Sequence, residues 1–349
     1  MCDQNQNSPA PPPLPYYAKK KPRNKTWTLA ICIPLGLILL YICMSSLTGD
    51  GSTGHSGLFN MELRGIDEFP GMEEIWSFGK GDTKAARIDI SGVIVQGKDG
   101  SIFSIAMDPV ETAIRMIRTA TQDEDVKAII LVVDSPGGGI TASDIIYNEL
   151  KNFKKSDPSR KIVALFGDVA ASGGYYVAAA SDHIIAHPTT ITGSIGVLIS
   201  SLNLKGFGDK YGIKTVTITS GKNKDMLNPF KDLTEEQQKL LQSTIDEMYH
   251  RFVEVVATGR TLPEDEVIKI ADGRILTANE ALKNKLIDHI GYWEDAVSET
   301  CRLLKVDSVK VIRYQEPFTL SALFEAVQNI NISIHNLQGH SQRMYLLPL

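Results

Sequence analysis

Residues 162–178 read IVALFGDVAASGGYYVA, and this stretch decides the fold of the chain. Its first five residues are continuously apolar, which is typical of a strand buried on both faces of a parallel sheet. Small residues and glycines follow, and the pair Tyr175 and Tyr176 then opens the pattern of a helix. This order predicts a buried strand, a tight turn that contains Ser172, and a helix that begins directly after the turn.

Ser172 is a candidate nucleophile because its small neighbours allow a substrate backbone to come close. A helix that begins next to it presents unpaired N–H groups, which stabilise a developing negative charge. The alternative is that the glycines only allow a strand and a helix to pack closely, as they do in many α/β folds. The stretch alone leaves both interpretations open.

The strand–turn–helix pattern recurs on both sides of this stretch. A second continuous apolar run at 126–133 ends in DSPGGG at 134–139, and a helical pattern follows it. Alternating units of this kind indicate an α/β fold with a mostly parallel sheet. Because ligands in such folds bind at the carboxyl ends of the strands, the two glycine turns can meet at one site. Further strands are predicted at 87–95, 183–186, 215–219 and 309–312, and further helices at 141–153 and 202–211.

A long helix is predicted to begin after Thr234. Thr234 and Gln237 have the spacing of a capping box, and Gly259 is placed to end the helix. Apolar residues at helical spacing predict a core-facing stripe along its whole length. The members of the stripe are Leu240, Leu241, Ile245, Met248, Phe252, Val255 and Val256.

Composition argues against several classes of function. The chain has 349 residues, a net charge of −5 and no basic stripe beyond its N-terminal region, so nucleic-acid binding is not expected. The spacing of its four cysteines fits neither a disulfide framework nor a metal site. We therefore expect no metal ion, nucleotide or other cofactor.

The N-terminal region predicts a membrane anchor. A Pro-rich tail with a basic cluster precedes a charge-free apolar run, and roughly 20 apolar residues suffice to cross a bilayer. The positive charges before the run predict a cytoplasmic N-terminus and an outward-facing remainder. A cleaved signal peptide is the alternative, but the lead is long and no cleavage motif follows. The predicted segments are a disordered tail at 1–26, a transmembrane helix at 27–48, a spacer at 49–83, the main domain at 84–315 and a second tail at 316–349.

A serine nucleophile needs a base to take its proton. Among the seven histidines, only His183 and His187 lie near a strand end beside the predicted site. Lysine is the other option, since burial favours its neutral form, and Lys222 and Lys224 follow the predicted strand at 215–219. Both lysines would ordinarily be solvated loop residues, so spacing alone does not choose between histidine and lysine.

Four motifs then occur in one order along the chain: DSPGGG at 134–139, AASGGYY at 170–176, TGSIG at 192–196 and KNKD at 222–225. Together they resemble the bacterial signal peptide peptidase A family, the S49 serine peptidases. The likeness runs from about residue 85 to residue 312 and includes ADGR at 271–274. It implies a Clp-protease/crotonase-like fold and a peptidase domain at 84–315.

The resemblance also implies a role for five residues. Ser172 matches the family's nucleophile, and Lys224, directly before an aspartate, matches its general base, whereas Lys222 does not align. Gly138 and Gly173 match the residues whose N–H groups form the oxyanion hole. Ser194 matches a serine that orients the lysine. A Ser/Lys dyad is thus the expectation from the family.

A single domain of this family supplies only part of the catalytic apparatus, so Ser172 and Lys224 are expected from adjacent protomers of a ring-like homo-oligomer. The implied function is a membrane-anchored serine endopeptidase on the outer face of the bacterial cytoplasmic membrane. It would degrade cleaved signal peptides and other unfolded hydrophobic segments. The alternatives are a related membrane protease acting on stomatin-like partners, a crotonase-fold protein that handles acyl-CoA, and a non-enzymatic scaffold.

Overall fold

The computed structural model of the chain describes residues 71–97 and 108–315. The tail at 1–26, the predicted anchor at 27–48 and the second tail at 316–349 lie outside these ranges. Within them, no helix combines the length and the hydropathy that crossing a bilayer requires.

A single mixed sheet forms the centre of the described chain. The strands are β1 (Glu73–Phe78), β2 (Thr83–Ile94), β3 (Val126–Gly138), β4 (Lys161–Ala171), β5 (His183–Ala186), β6 (Ile191–Gly193), β7 (Ile275–Thr277), β8 (His289–Ile290) and β9 (Val309–Gln315). The main path of the sheet runs β1-β9-β2-β3-β4-β5-β8, while β6 pairs with β4 and with β7. The β1–β9 and β6–β7 pairs are antiparallel and the others are parallel, so the predicted α/β class with a mostly parallel sheet is confirmed.

Helices connect most of the parallel strands and cover both faces of the sheet. Their bounds are α1 (Pro109–Gln122), α2 (Ile140–Ser156), α3 (Gly173–Ala178), α4 (Lys205–Tyr211), α5 (Glu235–Arg260), α6 (Glu264–Ile268), α7 (Ala278–Lys283) and α8 (Trp293–Leu304). The Asp108 side chain accepts from the N–H groups of Val110 and Glu111, which satisfies two of the unpaired donors at the start of α1.

The core lies on the two faces of β3 and β4. Alternate residues of β3 point to opposite faces: Ile129 and Leu131 join the larger apolar cluster with α1 and α2, and Ile130 joins the smaller one under α8. All three side chains are fully buried, and burying such a side chain stabilises the fold by about 1.5–3 kcal/mol. Burial on both faces explains the continuous apolar runs in the sequence.

The two central strands extend beyond the ends that their apolar runs predict. β3 continues to Gly138 and β4 to Ala171, with a register shift after Val133. The first part of β4 pairs with β5, whereas its last residues pair with β6. Gly167 allows this bend, because a Cβ there would lie 3.0 Å from the Asp134 Cβ atom. The glycine-rich stretches are therefore bent strand ends that deliver Ser172 to the rim of the sheet.

The predicted strand at 215–219 is wrong. These residues belong to a segment, residues 197–234, that we call the arm, and within it only α4 is regular secondary structure. Val216 is 92% exposed and Ile218 is 97% exposed, so these β-branched side chains are not packed against the described residues. Strand propensity is present here, but the described chain provides no strand to pair with.

The helix α5 is confirmed at its start and only partly confirmed along its length. Thr234 and Gln237 form the reciprocal hydrogen bonds of a capping box. The apolar stripe is buried from Phe252 onward, but Leu240 and Met248 are exposed, so the prediction of a core-facing stripe is wrong for the first half. That half lies beside the arm and the candidate site.

Candidate active site

Ser172 occupies a strained turn between β4 and α3. Its φ is 52° and its ψ is −120°, a conformation that non-glycine residues rarely adopt. Its N–H donates to the Gly193 carbonyl at 2.9 Å, and its carbonyl accepts from the Tyr176 N–H at 2.9 Å. These two bonds hold the turn in place and leave the half-buried side chain free. No hydrogen-bond partner of Ser172 Oγ lies within residues 71–97 or 108–315.

The two glycine turns meet at Ser172, as the sequence predicts. Gly137 has a φ of 98°, and a Cβ added to it would lie 2.5 Å from the Gly173 nitrogen and 2.9 Å from the Ser172 Cβ atom. A Cβ on Gly173 would lie 3.1 Å from the Gly138 nitrogen and 2.4 Å from Ser143 Oγ. Only glycine lets the two backbones approach this closely.

The hydrogen bonds on either side of Gly138 indicate where its amide points. The Gly139 N–H donates to the Ile94 carbonyl of β2 at 2.7 Å, and the Gly137 N–H donates to Ser135 Oγ at 3.1 Å. Because successive backbone N–H groups of a strand point to opposite neighbours, the Gly138 N–H points away from β2, toward the turn at Ser172. Gly138 and Gly173 thus bring two backbone donors beside the serine, which is the arrangement an oxyanion needs.

Ser194 lines the same cavity from the end of the neighbouring strand, since Gly193 of β6 pairs with Ala171 of β4. It follows β6, has a φ of 50°, and donates its N–H to the Arg274 carbonyl at 2.7 Å. The Gly273 N–H donates to the Ile195 carbonyl at 3.1 Å, so the ADGR motif at 271–274 packs against the turn at Ser194. Two motifs that are far apart in sequence therefore build one wall.

The cavity between these turns has a volume of about 670 Å³. Gly138, Ser172 and Ser194 all line it. Arg274 hydrogen-bonds Asp272 on the wall and lowers the pKa of that carboxyl to about 2, so it is ionised at neutral pH. The remaining lining residues are Ile140, Gly196, Val197, Leu198, Gln242, Ile245, Asp246, Tyr249, Ala271 and Gly273. A cleft of this size with both apolar and polar walls is suited to a short stretch of peptide.

Sequence reasoning did not predict the contribution of α5 to this cavity. Gln242, Asp246 and Tyr249 line it from the first half of the helix. Their spacing of four and three residues places them on one helix face, so the periodicity was visible. The apolar residues on the same helix indicated a core-facing stripe instead. The polar residues between them were therefore not recognised as part of the site.

Lys224 does not line this cavity in the described chain. It lies in a turn of the arm, exposed, with its N–H donating to the Gly221 carbonyl at 3.1 Å. Lys222 forms an ion pair with Glu236 at 2.6 Å. The structure therefore brings Ser172, Gly138, Gly173 and Ser194 together within one chain, and it leaves Lys224 outside the group.

The two candidate histidines have structural partners away from Ser172. His183 Nδ1 lies 3.0 Å from Glu299 Oε1 of α8, and the residue pairs with Val163 in the first part of β4. His187 Nδ1 lies 3.0 Å from the Gly291 carbonyl. Neither histidine is among the residues that line the 670 Å³ cavity.

Comparisons with known proteins identify two matching families. The chain matches the family described as "Peptidase family S49" over residues 154–307, and the family described as "Clp protease" over residues 103–191. The first match contains Ser172, Ser194 and Lys224, and the second contains Gly138 and Ser172.

Several curated proteins are similar over long stretches. The "Putative signal peptide peptidase SppA" of Enterococcus faecium is 37% identical over 301 residues, covering 85% of this chain and 86% of the relative. "Protease 4" of Haemophilus influenzae is 32% identical, covering 75% of this chain and 41% of the relative. "Serine protease SPPA, chloroplastic" of Arabidopsis thaliana is 35% identical, covering 54% of this chain and 28% of the relative.

Proposed function

Because the chain belongs to peptidase family S49, whose members are serine peptidases, we propose that Ser172 is its nucleophile and that it degrades signal peptides. The observation that carries this proposal is the strained Ser172 turn, with the amides of Gly138 and Gly173 beside it in a 670 Å³ cavity. The name of the Enterococcus relative supports signal peptides as substrates. Other unfolded hydrophobic segments share their chemistry and are proposed as further substrates.

The proposed reaction begins when Ser172 Oγ attacks the carbonyl carbon of the scissile bond. Its proton passes to the neutral amine of Lys224, and the carbonyl oxygen becomes an oxyanion that accepts hydrogen bonds from the Gly138 and Gly173 amides. Lys224 then returns the proton to the leaving nitrogen, and the C–N bond breaks to give an acyl-enzyme ester. Water, deprotonated by the same amine, hydrolyses the ester and restores Ser172.

Lys224 is proposed to reach Ser172 from an adjacent protomer. The arm that carries it exposes several apolar side chains, including Leu198, Leu202 and Phe207, at 54% or more. A soluble monomer rarely exposes an apolar surface of this extent, so an interface with a second copy is favoured. Burial at that interface would favour the neutral amine that a base requires. Ser194, which lines the same cavity, is proposed to orient the amine.

The cellular setting is part of the same proposal. The charge-free run at 27–48, preceded by basic residues, supports a single-pass anchor in the bacterial cytoplasmic membrane with the N-terminus inside. The peptidase domain at 84–315 would then face outward, where cleaved signal peptides are left in the bilayer. The peptidase relatives disfavour an acyl-CoA protein or a non-enzymatic scaffold, and nothing in the described residues favours a stomatin-like partner.

The test is cleavage of a synthetic signal peptide by the full chain in detergent, with the wild type compared with Ser172→Ala and Lys224→Ala. We expect both variants to lose at least about 1,000-fold in kcat, with assembly size unchanged. Lys222→Ala is the matched control, a neighbouring exposed lysine, and is expected to retain wild-type turnover. Full activity of Lys224→Ala would place the base elsewhere, and full activity of Ser172→Ala would overturn the proposal.

A further inference from the structure

Each of the two proposed oxyanion donors lies at the start of a helix. The helix α2 begins at Ile140, two residues after Gly138, and α3 begins at Gly173 itself. A displacement of α2 relative to α3 would therefore change the separation and direction of the two N–H groups. The contact between these helices fixes the geometry on which oxyanion stabilisation depends.

A short hydrogen bond joins the two helices one turn from the donors. The Tyr176 hydroxyl of α3 donates to Asp144 Oδ1 of α2 at 2.5 Å. Tyr176 is 3% exposed, and burial together with this hydrogen bond raises the pKa of its phenol well above the ordinary value. The hydroxyl therefore stays protonated and acts as a donor throughout the neutral pH range.

The surroundings of Tyr176 hold its ring in one place. The ring lies 5.5 Å from the Tyr147 ring of α2 and 5.0 Å from the Phe252 ring of α5, measured between centroids. Asp144 Oδ1 also accepts a hydrogen bond from Arg251 Nη2 of α5 at 3.3 Å, so α5 contacts the same carboxylate oxygen. Three helices thus converge on the carboxylate of Asp144.

Other polar contacts near the site act within a single turn. Ser135 Oγ accepts from the Gly137 N–H, and Ser143 Oγ donates to the Gly139 carbonyl at 3.0 Å. Lys154 Nζ, at the far end of α2, reaches the Ala180 carbonyl beyond α3 at 3.3 Å. In the part of the chain that the structure describes, Tyr176–Asp144 is the side-chain hydrogen bond that ties α3 to α2 near the glycines.

We propose that Tyr176 and Asp144 are positioning residues, which hold the amides of Gly138 and Gly173 at the separation that a tetrahedral oxyanion requires. This inference rests on the proposed function, because it assigns a role to residues that act only through those amides. Neither side chain is among the residues that line the cavity. Their effect is expected in the transition state and not in the binding of the substrate.

The test is steady-state cleavage of a signal peptide by Tyr176→Phe, which removes the hydroxyl and keeps the ring. We expect kcat to fall about 10- to 100-fold with KM within about twofold, since a small displacement of oxyanion donors costs this much. The affinity for a peptide aldehyde, whose adduct with Ser172 contains the oxyanion, should fall by a similar factor. The affinity for the corresponding peptide alcohol, which forms no adduct, should not change.

Tyr175→Phe is the matched control. Tyr175 is adjacent and fully buried, and its hydroxyl donates to the Leu286 carbonyl at 2.7 Å, away from α2. We expect this variant to lose stability and to keep the wild-type kcat. Should Tyr176→Phe fail to fold, the half-buried Asp144 provides the second pair: Asp144→Ala should lose kcat like Tyr176→Phe, and Asp144→Asn, which retains an acceptor oxygen, should recover most of it.

The outcomes separate this inference from the proposed function. A wild-type kcat in both Tyr176→Phe and Asp144→Ala, with Ser172 still labelled by a fluorophosphonate, would overturn the positioning role and leave the nucleophile intact. Equal losses in Tyr175→Phe and Tyr176→Phe would also overturn it, because they would reflect general destabilisation. Wild-type protein that is labelled at a residue other than Ser172 would overturn both.

Discussion

Positive φ angles surround the proposed nucleophile at the scale of single residues. Gly137 has a φ of 98°, Ser172 of 52° and Ser194 of 50°. Left-handed backbone costs a non-glycine residue roughly 1–2 kcal/mol. At Ser172 this cost is offset by hydrogen bonds to Gly193 and Tyr176, and the strained turn directs the serine side chain into the cavity. The backbone strain thus lies at the residue that is proposed to be the nucleophile.

Gly137→Ala is expected to lower peptidase activity strongly although Gly137 carries no catalytic group. The added Cβ would lie 2.5 Å from the Gly173 nitrogen, so it must displace one of the two oxyanion donors. Because loss of one donor costs about 100- to 1,000-fold in kcat, a decrease of that size is predicted from peptide cleavage assays.

Gly92→Ala separates this effect from backbone strain. Gly92 also has a positive φ, 75°, but a Cβ there would meet no atom within 4 Å. We expect a comparable loss of stability in thermal unfolding and an unchanged kcat. Equal kcat values for the two variants would show that the close approach at Gly137 is unimportant for catalysis.

The contact between β5 and α8 illustrates how a strand end and a helix fix a titratable group at the scale of elements. His183 is half-buried beside Glu299 and Asp288, with Arg260 and Arg302 also near. Burial lowers the pKa of this imidazole below its ordinary value of about 6.5, in spite of the two carboxylates. The unfolded chain therefore binds a proton at His183 more readily than the folded chain does.

This shift predicts a pH-dependent stability. A lowered folded-state pKa means that folding is favoured when His183 is neutral, so stability is complete above about pH 6.5 and decreases as the pH falls below it. The urea midpoint of the wild type should fall between pH 7.5 and pH 5.5 by more than that of His183→Gln, which keeps a donor to Glu299 but does not titrate. His183→Gln should also keep full peptidase activity. If His183→Gln folds but is inactive, His183 would again be a candidate for the general base.

The sequence predicted the elements whose stabilisation is local. The continuous apolar runs before 134–139 and 167–174 indicated β3 and β4, and the Thr234–Gln237 spacing indicated the start of α5. These features depend on burial and on capping within a few residues. Convergence of the glycine turns on Ser172 also followed from strand direction alone.

Features that depend on a surface outside the element could not be predicted. Residues 215–219 have the composition of a strand, but they pair with no strand of the described chain, and Val216 and Ile218 remain exposed. The strand ends at Gly138 and Ala171 were missed because register shifts, and not apolar runs, set them. The choice of Lys224 as the base for Ser172 rested on the family resemblance, because no rule of residue spacing links the two positions.

At the scale of the whole molecule, the proposed catalytic residues do not all meet within one chain. Ser172, Gly138 and Ser194 line the cavity, while Lys224 is exposed on the arm. An exposed apolar arm that carries the proposed base is the arrangement expected of a ring in which each protomer completes its neighbour's site. If Lys224 is the base, catalysis must therefore depend on the contact between protomers.

The measurement that tests this claim most directly is the activity of mixed assemblies of Ser172→Ala and Lys224→Ala. Each variant alone lacks one member of every site, so each is expected to be inactive. Dissociated and reassembled together in equal amounts, they should recover about a quarter of wild-type cleavage of a signal peptide, since a random ring places an intact serine beside a neighbour's intact lysine at that frequency. Co-assembly shown by two affinity tags, without recovered activity, would contradict a base supplied by the adjacent protomer.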